Sequence, residues 1–481
     1  MQDWQFNNHW HDELPETYSE VMAMPIMRPK LVAYAEQVGS LLDLKQQPAE
    51  SELCRYFSGA SVLQGSAPLA QVYSGHQFGH YVPQLGDGRG LLLGQITNAQ
   101  QQSWDLHLKG AGLTPYSRSG DGRAVLRSSI REFLASEAMH ALGIPTSRAL
   151  CVLDSETPVQ REEMETAATV LRVSESHLRF GHFEYFFHTN RHGILKELAD
   201  YALRHHFQSC LTAANPYLAM FEQVVIRTAT LIAKWQSVGF THGVMNTDNM
   251  SLLGLTFDYG PYGFMDKYEA NHIPNHSDHS GRYSYVQQPG IGHWNLQCLA
   301  HALSPLVGKE DTDKALGLYE LNLMREYSRL MAAKFGLDGI RDGDGPMMTE
   351  FFELIQRGRH DHTLSFRLLS EQDVRESRCA LENEFIDLEG FRQWWGRYRK
   401  RRGEQDDATH GQSLMLASNP KYILRNHLAH TAIEKAKTGD YTEVQQLHSL
   451  LTKPFAEQPD MGHYAQLPPK WSDDLEVSCS S

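Results

Sequence analysis

The chain of 481 residues has no apolar run approaching the roughly 20 residues that a membrane-spanning helix needs. Cysteine is scarce and scattered: Cys54, Cys151, Cys210, Cys298, Cys379 and Cys479, with no C-x-x-C pair. Such spacing gives no disulfide framework and fits a reducing compartment. Positive charge is also short. Against 58 acidic side chains stand 44 basic ones, a formal net charge of −14. A surface of that sign repels nucleic-acid backbones. The dense basic run RYRKRR, 397–402, is followed at once by Glu404, Asp406 and Asp407, and reads as a solvated helix end rather than a binding patch. The opening stretch, MQDWQFNNHWHDELPETY, lacks the basic-then-apolar layout of a secretory leader and the Arg-rich character of a transit peptide. The expectation is a cytoplasmic protein whose partners are neither nucleic acid nor membrane. Internal repeats and low-complexity tracts are missing too.

What is present is an ordinary globular composition, 41% apolar and 21% charged, enough for a substantial core. Up to about residue 55 the pattern predicts an extended segment and a helix around KLVAYAEQVGSLLDL. From about 80 to 180 it predicts strands broken by glycine turns, with one clear helix. From about 195 onward it predicts mostly helices, such as FEQVVIRTATLIAKWQSVG, WNLQCLAHAL, TEFFELIQRG and YILRNHLAHTAIEKAKTG. Strands first and helices after predict an α+β protein in two lobes. The expected boundaries are an N-terminal extension over 1–60, a strand-rich lobe over 61–180 and a helical lobe with a C-terminal tail over 181–481. A cleft between two lobes is a natural ligand site.

Chemistry concentrates in a few stretches. In HGVMNTDN, 242–249, His242 and Asn249 keep the spacing of a protein-kinase catalytic loop, but Val244 stands where a kinase holds its catalytic Asp. In QLGDGRGLLLGQI, 84–96, Gly86, Gly88 and Gly90 alternate before an apolar strand. Glycine lets backbone N–H groups approach phosphate oxygens, and Arg89 offers a charged fork. The same stretch also reads as a plain hairpin turn. In WDLHLKGAG, 104–112, Lys109 ends a predicted strand, where a kinase carries its phosphate-holding Lys.

The predicted helix SSIREFLASEAMHALGIP, 128–145, places Glu132 in its first turn as a partner for Lys109, with Glu137 as the alternative. Ser129-x-x-Glu132 reads equally as a capping box. Asp121 and Gly122 form a second D-G turn beside Arg118, Arg123 and Arg127. Arg172 and Arg179, seven residues apart, read as phosphate clamps or as surface ion pairs. Asp258-Tyr259-Gly260 resembles the Asp-Phe-Gly that brings a carboxylate to a metal. With Asn249 it supplies hard oxygen ligands suited to Mg2+ or Mn2+ on nucleotide phosphates. His272, His276, Asp278 and His279 are a rival zinc set that fits no standard spacing.

Longer stretches carry a resemblance to a known family. PLAQVYSGHQFG (68–79), QLGDGRG (84–90), HLKGAGLTPYSRSGDGRAVLRSSIRE (107–132), SHLRFGHFE (176–184), THGVMNTDNMSLLGLTFDYGPYGF (241–264), NHSDHSGRYSY (275–285) and the ending EVSCSS (476–481) resemble the selenoprotein O family, nearly end to end. The resemblance implies a protein-kinase-like two-lobed fold with family-specific extensions. It implies transfer of AMP from ATP, or UMP from UTP with Mn2+, to Ser, Thr or Tyr hydroxyls of proteins, the nucleotide being held in a flipped orientation. By the same resemblance Gly86, Gly88, Arg89, Lys109, Asp121, Gly122, Arg172, Arg179 and Asp258 contact the nucleotide. Glu132 orients Lys109, Asn249 and Asp258 hold the metal, and Asp248 is the catalytic base. Family members with selenocysteine carry it near Cys479. Pro274 occupies the position where a partner thiol would be expected.

Overall fold

The computed structural model describes Met1, residues 4–405 and residues 408–477; Cys479 lies outside them. The first part of the chain is built on one antiparallel sheet. Its elements, in chain order with their neighbours, are β1 (Tyr18–Glu20), β2 (Lys30–Tyr34), β3 (Leu69–Gln71), β4 (Gly75–Gln77), β5 (His80–Val82), β6 (Gly90–Thr97), β7 (Ser103–Lys109), β8 (Ala124–Val125), β9 (Arg148–Asp154), β10 (Pro158–Gln160) and β11 (Met164–Ser174). The main sheet runs β1-β3-β6-β7-β11-β9-β2, with β8 and β10 paired to β11, while β4 and β5 form a separate hairpin. The chain is thus α+β, with the large sheet in its first part and helices dominating after it.

Both edge strands come from the first 60 residues: β1 pairs with β3, and β2 pairs with β9. The helix expected around 30–44 is therefore half strand. Lys30–Tyr34 extends along β9, and only Glu36–Leu41 coils. The β-branched and aromatic residues of KLVAY suit a pleated edge, and a helix-like spacing over so few residues cannot distinguish the two.

Helices α1 (His9–Glu13), α2 (Glu36–Leu41) and α3 (Glu50–Phe57) belong to the N-terminal stretch. The long helix α4 (Leu126–Ala141) packs on β9 and β11. It starts straight out of β8 with Val125 as an uncapped N-terminus, so Ser129 and Glu132 are both buried inside it. The capping-box reading is wrong here, and Glu132 sits in the second turn rather than the first. Then follow α5 (Phe180–His188), α6 (His192–His206) and α7 (Pro216–Ser237). The start of α7 is well specified: Pro216 sits at its first position, and the Asn215 side chain accepts from Leu218 N–H at 3.2 Å.

A second apolar cluster, including Phe335, Phe351, Phe366, Trp394 and Tyr398, holds the later helices together. Tyr422–Arg425, expected as the start of a helix, precede the helix Asn426–Lys437 instead. The basic run 397–402 closes the helix Leu388–Gly403 and is solvated only in part: Arg397 and Lys400 are exposed, but its last two arginines are not. Arg401 is buried against Asp344 at 2.9 Å, and buried Arg402 donates to the Gly336 carbonyl at 2.8 Å. These arginines are struts within the helical part. No helix among the described residues is long and apolar enough to cross a membrane.

Candidate active site

A cavity of about 500 Å3 opens where β6, β7 and the end of β11 meet the loops around 244–261. Its wall carries the side chains of Arg89, Lys109, Arg118, Arg123, Arg161, Arg172 and Arg179 against those of Asp87, Asp121, Asp248 and Asp258. Cations outnumber carboxylates on this wall although the whole chain is strongly acidic. Such a local reversal of sign suits a polyanionic ligand.

Gly86, Gly88 and Arg89 lie in the loop that leads into β6. This loop is no hairpin turn, because β5 pairs with β4 while β6 pairs with β3 and β7. It is fastened from behind: Thr114 Oγ1 donates to the Asp87 carbonyl at 2.7 Å, and Ser117 Oγ donates to the Gly88 carbonyl at 2.5 Å. Arg89 itself is exposed and enters no ion pair among the described residues. Across the mouth, exposed Asp121 is gripped by Arg161 at 2.7 and 3.0 Å. Gly122 follows with φ of 71°, and a Cβ there would collide with the Gly112 backbone. Only glycine suits both demands.

Deeper in, five side chains form one chain of ion pairs. Lys109, the last residue of β7, meets Glu132 Oε2, and the Arg172 Nε–H meets Glu132 Oε1. Arg172 Nη1 continues to Asp258 Oδ1 at 2.9 Å, and Arg179 Nη1 closes on Asp258 Oδ2 at 2.5 Å. Lys109, Glu132, Arg172 and Arg179 are all buried. Burial alone would raise the Glu132 carboxyl, but Arg172 and Lys109 outweigh it and hold it at about 2. Burial brings Lys109 down to about 8 against the pull of Glu132. The pair stays ionised at neutral pH. Glu132, not Glu137, is the partner of Lys109; Glu137 instead pairs with Arg148 at 2.5 Å, away from the cavity.

Arg172 and Arg179 are neither free clamps nor surface pairs, since both hold Asp258. Arg179 is the N-cap residue of α5, and its guanidinium lies between the rings of Tyr73 and Phe257, 4.6 Å from each centroid. Asp258 has the left-handed φ of 58°, a conformation that non-glycine residues adopt mainly where the surroundings impose it. Its two arginines overcome the desolvation that would raise it and hold it well below the usual carboxylate range.

The loop 242–249 forms the other wall. Val244 lines the cavity with no polar atom to offer, and Thr247–Asn249 make a single 3-10 turn. Asp248 is 7% exposed. Its Oδ2 accepts from Gln77 Nε2 at 3.2 Å, and its Oδ1 is buried without a hydrogen-bond partner. Burial pushes this carboxyl up to about 7 against the pull of Arg179. Asn249 Nδ2 donates to the Val244 carbonyl at 3.1 Å, which leaves its oxygen for a ligand. That oxygen and the partly exposed Asp258 carboxylate line the same cavity. As a donor set they fit a hard divalent cation.

The rival zinc set does not converge on a ligand. Asp278 is spent on the turn that follows it, accepting from Arg282 N–H at 3.0 Å and Tyr283 N–H at 2.7 Å.

The order glycine loop, strand Lys, helix Glu, Asn loop and Asp-Tyr-Gly is thus gathered around one cavity. A family model described as Protein adenylyltransferase SelO matches residues 1–452. The chain belongs to the SelO family. A Protein nucleotidyltransferase YdiU of Ectopseudomonas mendocina (strain ymp) is 53% identical over 470 residues, 96% of each chain. One of Pseudomonas aeruginosa (strain UCBPP-PA14) is 51% identical over 484 residues, 100% of this chain and 99% of its own. One of Pseudomonas putida (strain ATCC 700007 / DSM 6899 / JCM 31910 / BCRC 17059 / LMG 24140 / F1) is 53% identical over 467 residues. These names describe enzymes of nucleotidyl transfer.

Sequence reasoning missed part of this SelO-family site. Arg161 reaches the cavity from the turn between β10 and β11, in a stretch, QREEM, that reads as a charged surface loop. Gln77, Tyr73 and Asn246 also line the cavity. Gln77 lies within the matched stretch PLAQVYSGHQFG, but spacing alone gives it no partner.

Proposed function

We propose that this chain is a protein nucleotidyltransferase that moves AMP from ATP, or UMP from UTP, onto Ser, Thr or Tyr hydroxyls of proteins and releases pyrophosphate. The observation that carries this reading is the pairing of an intact phosphate-binding wall with a displaced carboxylate. Lys109, Glu132, Arg172, Arg179 and Asp258 form one ion-paired array. The kinase base position is Val244, and a buried carboxylate stands four residues on at Asp248. The names of the relatives support nucleotidyl transfer and a nucleoside triphosphate donor.

In this reading the fold is a two-lobed, protein-kinase-like one. The lobe over 61–180 is braced by strands from 1–60, and the helical lobe spans 181–481. Lys109 and Arg172 face the phosphates, with Glu132 holding both in place. Gly86, Gly88, Arg89, Asp121, Gly122 and Arg179 complete the nucleotide contacts. Asn249 and Asp258 would hold Mg2+ or Mn2+, which when bound neutralises phosphate charge. Transfer to a hydroxyl depends mainly on such neutralisation and on in-line positioning.

Asp248 accepts the proton of the acceptor hydroxyl. The freed oxygen bonds to the α-phosphorus, the bond from the α-phosphorus to the bridging oxygen breaks, and pyrophosphate carries away that electron pair. A carboxyl raised to about 7 is well matched to this task at neutral pH. The described cysteines Cys54, Cys151, Cys210, Cys298 and Cys379 are free, which suits the cytoplasmic location included in this proposal.

The test is incubation with α-labelled and, separately, γ-labelled ATP in the presence of lysate proteins and Mg2+ or Mn2+. Protein-bound α label is the expected result. Label arriving only from the γ position would make the chain a phosphotransferase. Nucleotide binding with no transfer of either label would make it a pseudokinase scaffold.

A further inference from the structure

Glu184 belongs to none of the roles above, yet it is buried directly behind the Asp248 turn. It lies on α5, about one turn beyond Arg179. Its Oε1 meets His76 Nδ1 at 2.6 Å, and its Oε2 accepts from the Thr247 hydroxyl. The same hydroxyl accepts from His76 N–H at 2.7 Å. Thr247 is fully buried, so its hydroxyl has no water to replace either partner.

Around this carboxylate the β4–β5 hairpin is laced to the loop residue by residue. His76 bonds Thr247, Gln77 bonds Asp248 Oδ2 at 3.2 Å, and Phe78 N–H donates to Asn246 Oδ1 at 3.3 Å and to the Tyr283 hydroxyl at 2.9 Å. Tyr283 closes the circle by donating to Asn246 Oδ1 at 2.6 Å. Gly75 lies so close to Asp248 that a Cβ there would strike its Oδ1. The helix α5 therefore holds the Asp248 turn at two points: Arg179 Nη1 donates to the Asp248 carbonyl at 2.6 Å, and Glu184 takes the neighbouring hydroxyl.

We propose that Glu184, acting through Thr247 and His76, is a positioning residue that aims Asp248 at the acceptor hydroxyl. It touches neither nucleotide nor acceptor. It fixes the turn that carries the base and the hairpin whose Gln77 steadies that base. This role rests on the nucleotidyl-transfer reading given above. Mispositioning a reacting group by a fraction of an ångström to 1 Å costs on the order of tenfold to a hundredfold in rate. The cost falls mainly on turnover, because Lys109, Glu132 and Arg172 of the phosphate-binding wall lie on β7, α4 and β11 rather than on the Thr247 turn.

The test compares full-length Glu184→Gln, Thr247→Val and Thr247→Ser. Glu184→Gln and Thr247→Val are expected to lower kcat on the order of tenfold to a hundredfold, with KM for the nucleotide within about twofold. Thr247→Ser, which keeps the hydroxyl, is expected to recover most of the turnover lost in Thr247→Val. Hydrogen–deuterium exchange gives a readout independent of activity. Exchange across 246–249 and 75–78 is expected to quicken in Thr247→Val and not in Thr247→Ser. Unchanged exchange and kcat in Thr247→Val would overturn the positioning role. So would a loss confined to nucleotide KM. Wild-type protein that transfers no α label, yet shows the exchange difference, would overturn the reaction and leave the anchoring of the turn established.

Discussion

The two walls of the cavity handle charge in opposite ways. On the sheet side Glu132 is shared between Lys109 and Arg172, and Arg172 passes on to Asp258. On the loop side Asp248 has one amide donor, a more distant pull from Arg179 and an oxygen with no partner. The first wall is an ion lattice whose groups keep their charge across neutral pH. The second keeps a carboxylate poorly compensated, so its affinity for a proton rises. In the proposed reaction binding and proton transfer ask for different electrostatics, and the cavity offers the two on different walls.

The sharpest way to break that comparison is Asp258→Ala. It removes the proposed metal ligand and takes from buried Arg179 its carboxylate partner, while Arg172 keeps only Glu132, so transfer of α label is expected to fall to background. Near-wild-type activity would dismantle the assignment of the whole wall. Asp248→Asn should follow, with kcat lower on the order of 10²–10⁴ as for loss of a general base and nucleotide affinity nearly unchanged by titration calorimetry. A parallel loss of affinity would place Asp248 on the binding side instead.

Two buried glutamates on α4 sharpen the contrast further. Glu132→Gln and Glu137→Gln each break a buried pair with an arginine, which costs roughly 3–5 kcal/mol when one partner is removed. Denaturant unfolding should show both losses, but only Glu132→Gln should also weaken nucleotide binding. Equal effects on binding would mean that α4 matters for stability alone.

The smallest expected effect is on stability against pH. Burial depresses His177 and His206 to about 4 and His182 to about 3, below the unfolded value near 6.5. The unfolded chain therefore binds protons that the folded chain refuses. The stability contributed by these three neutral histidines is full above about 6.5 and is lost as pH falls toward about 4, outweighing the opposite and smaller contribution of the raised Asp248 carboxyl. Thermal melts between these limits should fall steadily, and His206→Gln should flatten the slope. Glu132 adds its own loss only lower, as pH drops from its ordinary range toward about 2.

Much of the site was legible in the sequence because its key residues sit at places fixed by local structure. Lys109 closes an alternating strand, Glu132 lies on a periodic helix, and Asp258 sits in the short Asp-Tyr-Gly motif. The α+β order was legible for the same reason. What was hidden depends on contacts distant along the chain. Nothing near Arg172 says that it shares Glu132, forty residues away. Arg161 looked like loop charge, and Arg401 and Arg402 looked solvated, because burial of an arginine depends on what packs over it. Lys30–Tyr34 became a strand because β9 offered it an edge, which no window of local periodicity contains. Glu184 ends the stretch SHLRFGHFE, and its role was hidden because its partners Thr247 and His76 lie on two other segments.

The central claim is that the phosphate wall is intact while the base has moved from position 244 to Asp248, so that the reaction is nucleotidyl transfer. Measuring pyrophosphate release together with protein-bound α label tests it most directly, for wild type and for Asp248→Asn. The account predicts one pyrophosphate for each nucleotide bound to protein in the wild type. It predicts that both products fall together, on the order of 10²–10⁴ in rate, in the variant, although the variant still binds ATP. Release of ADP with γ label on the protein, or undiminished transfer by Asp248→Asn, would contradict it.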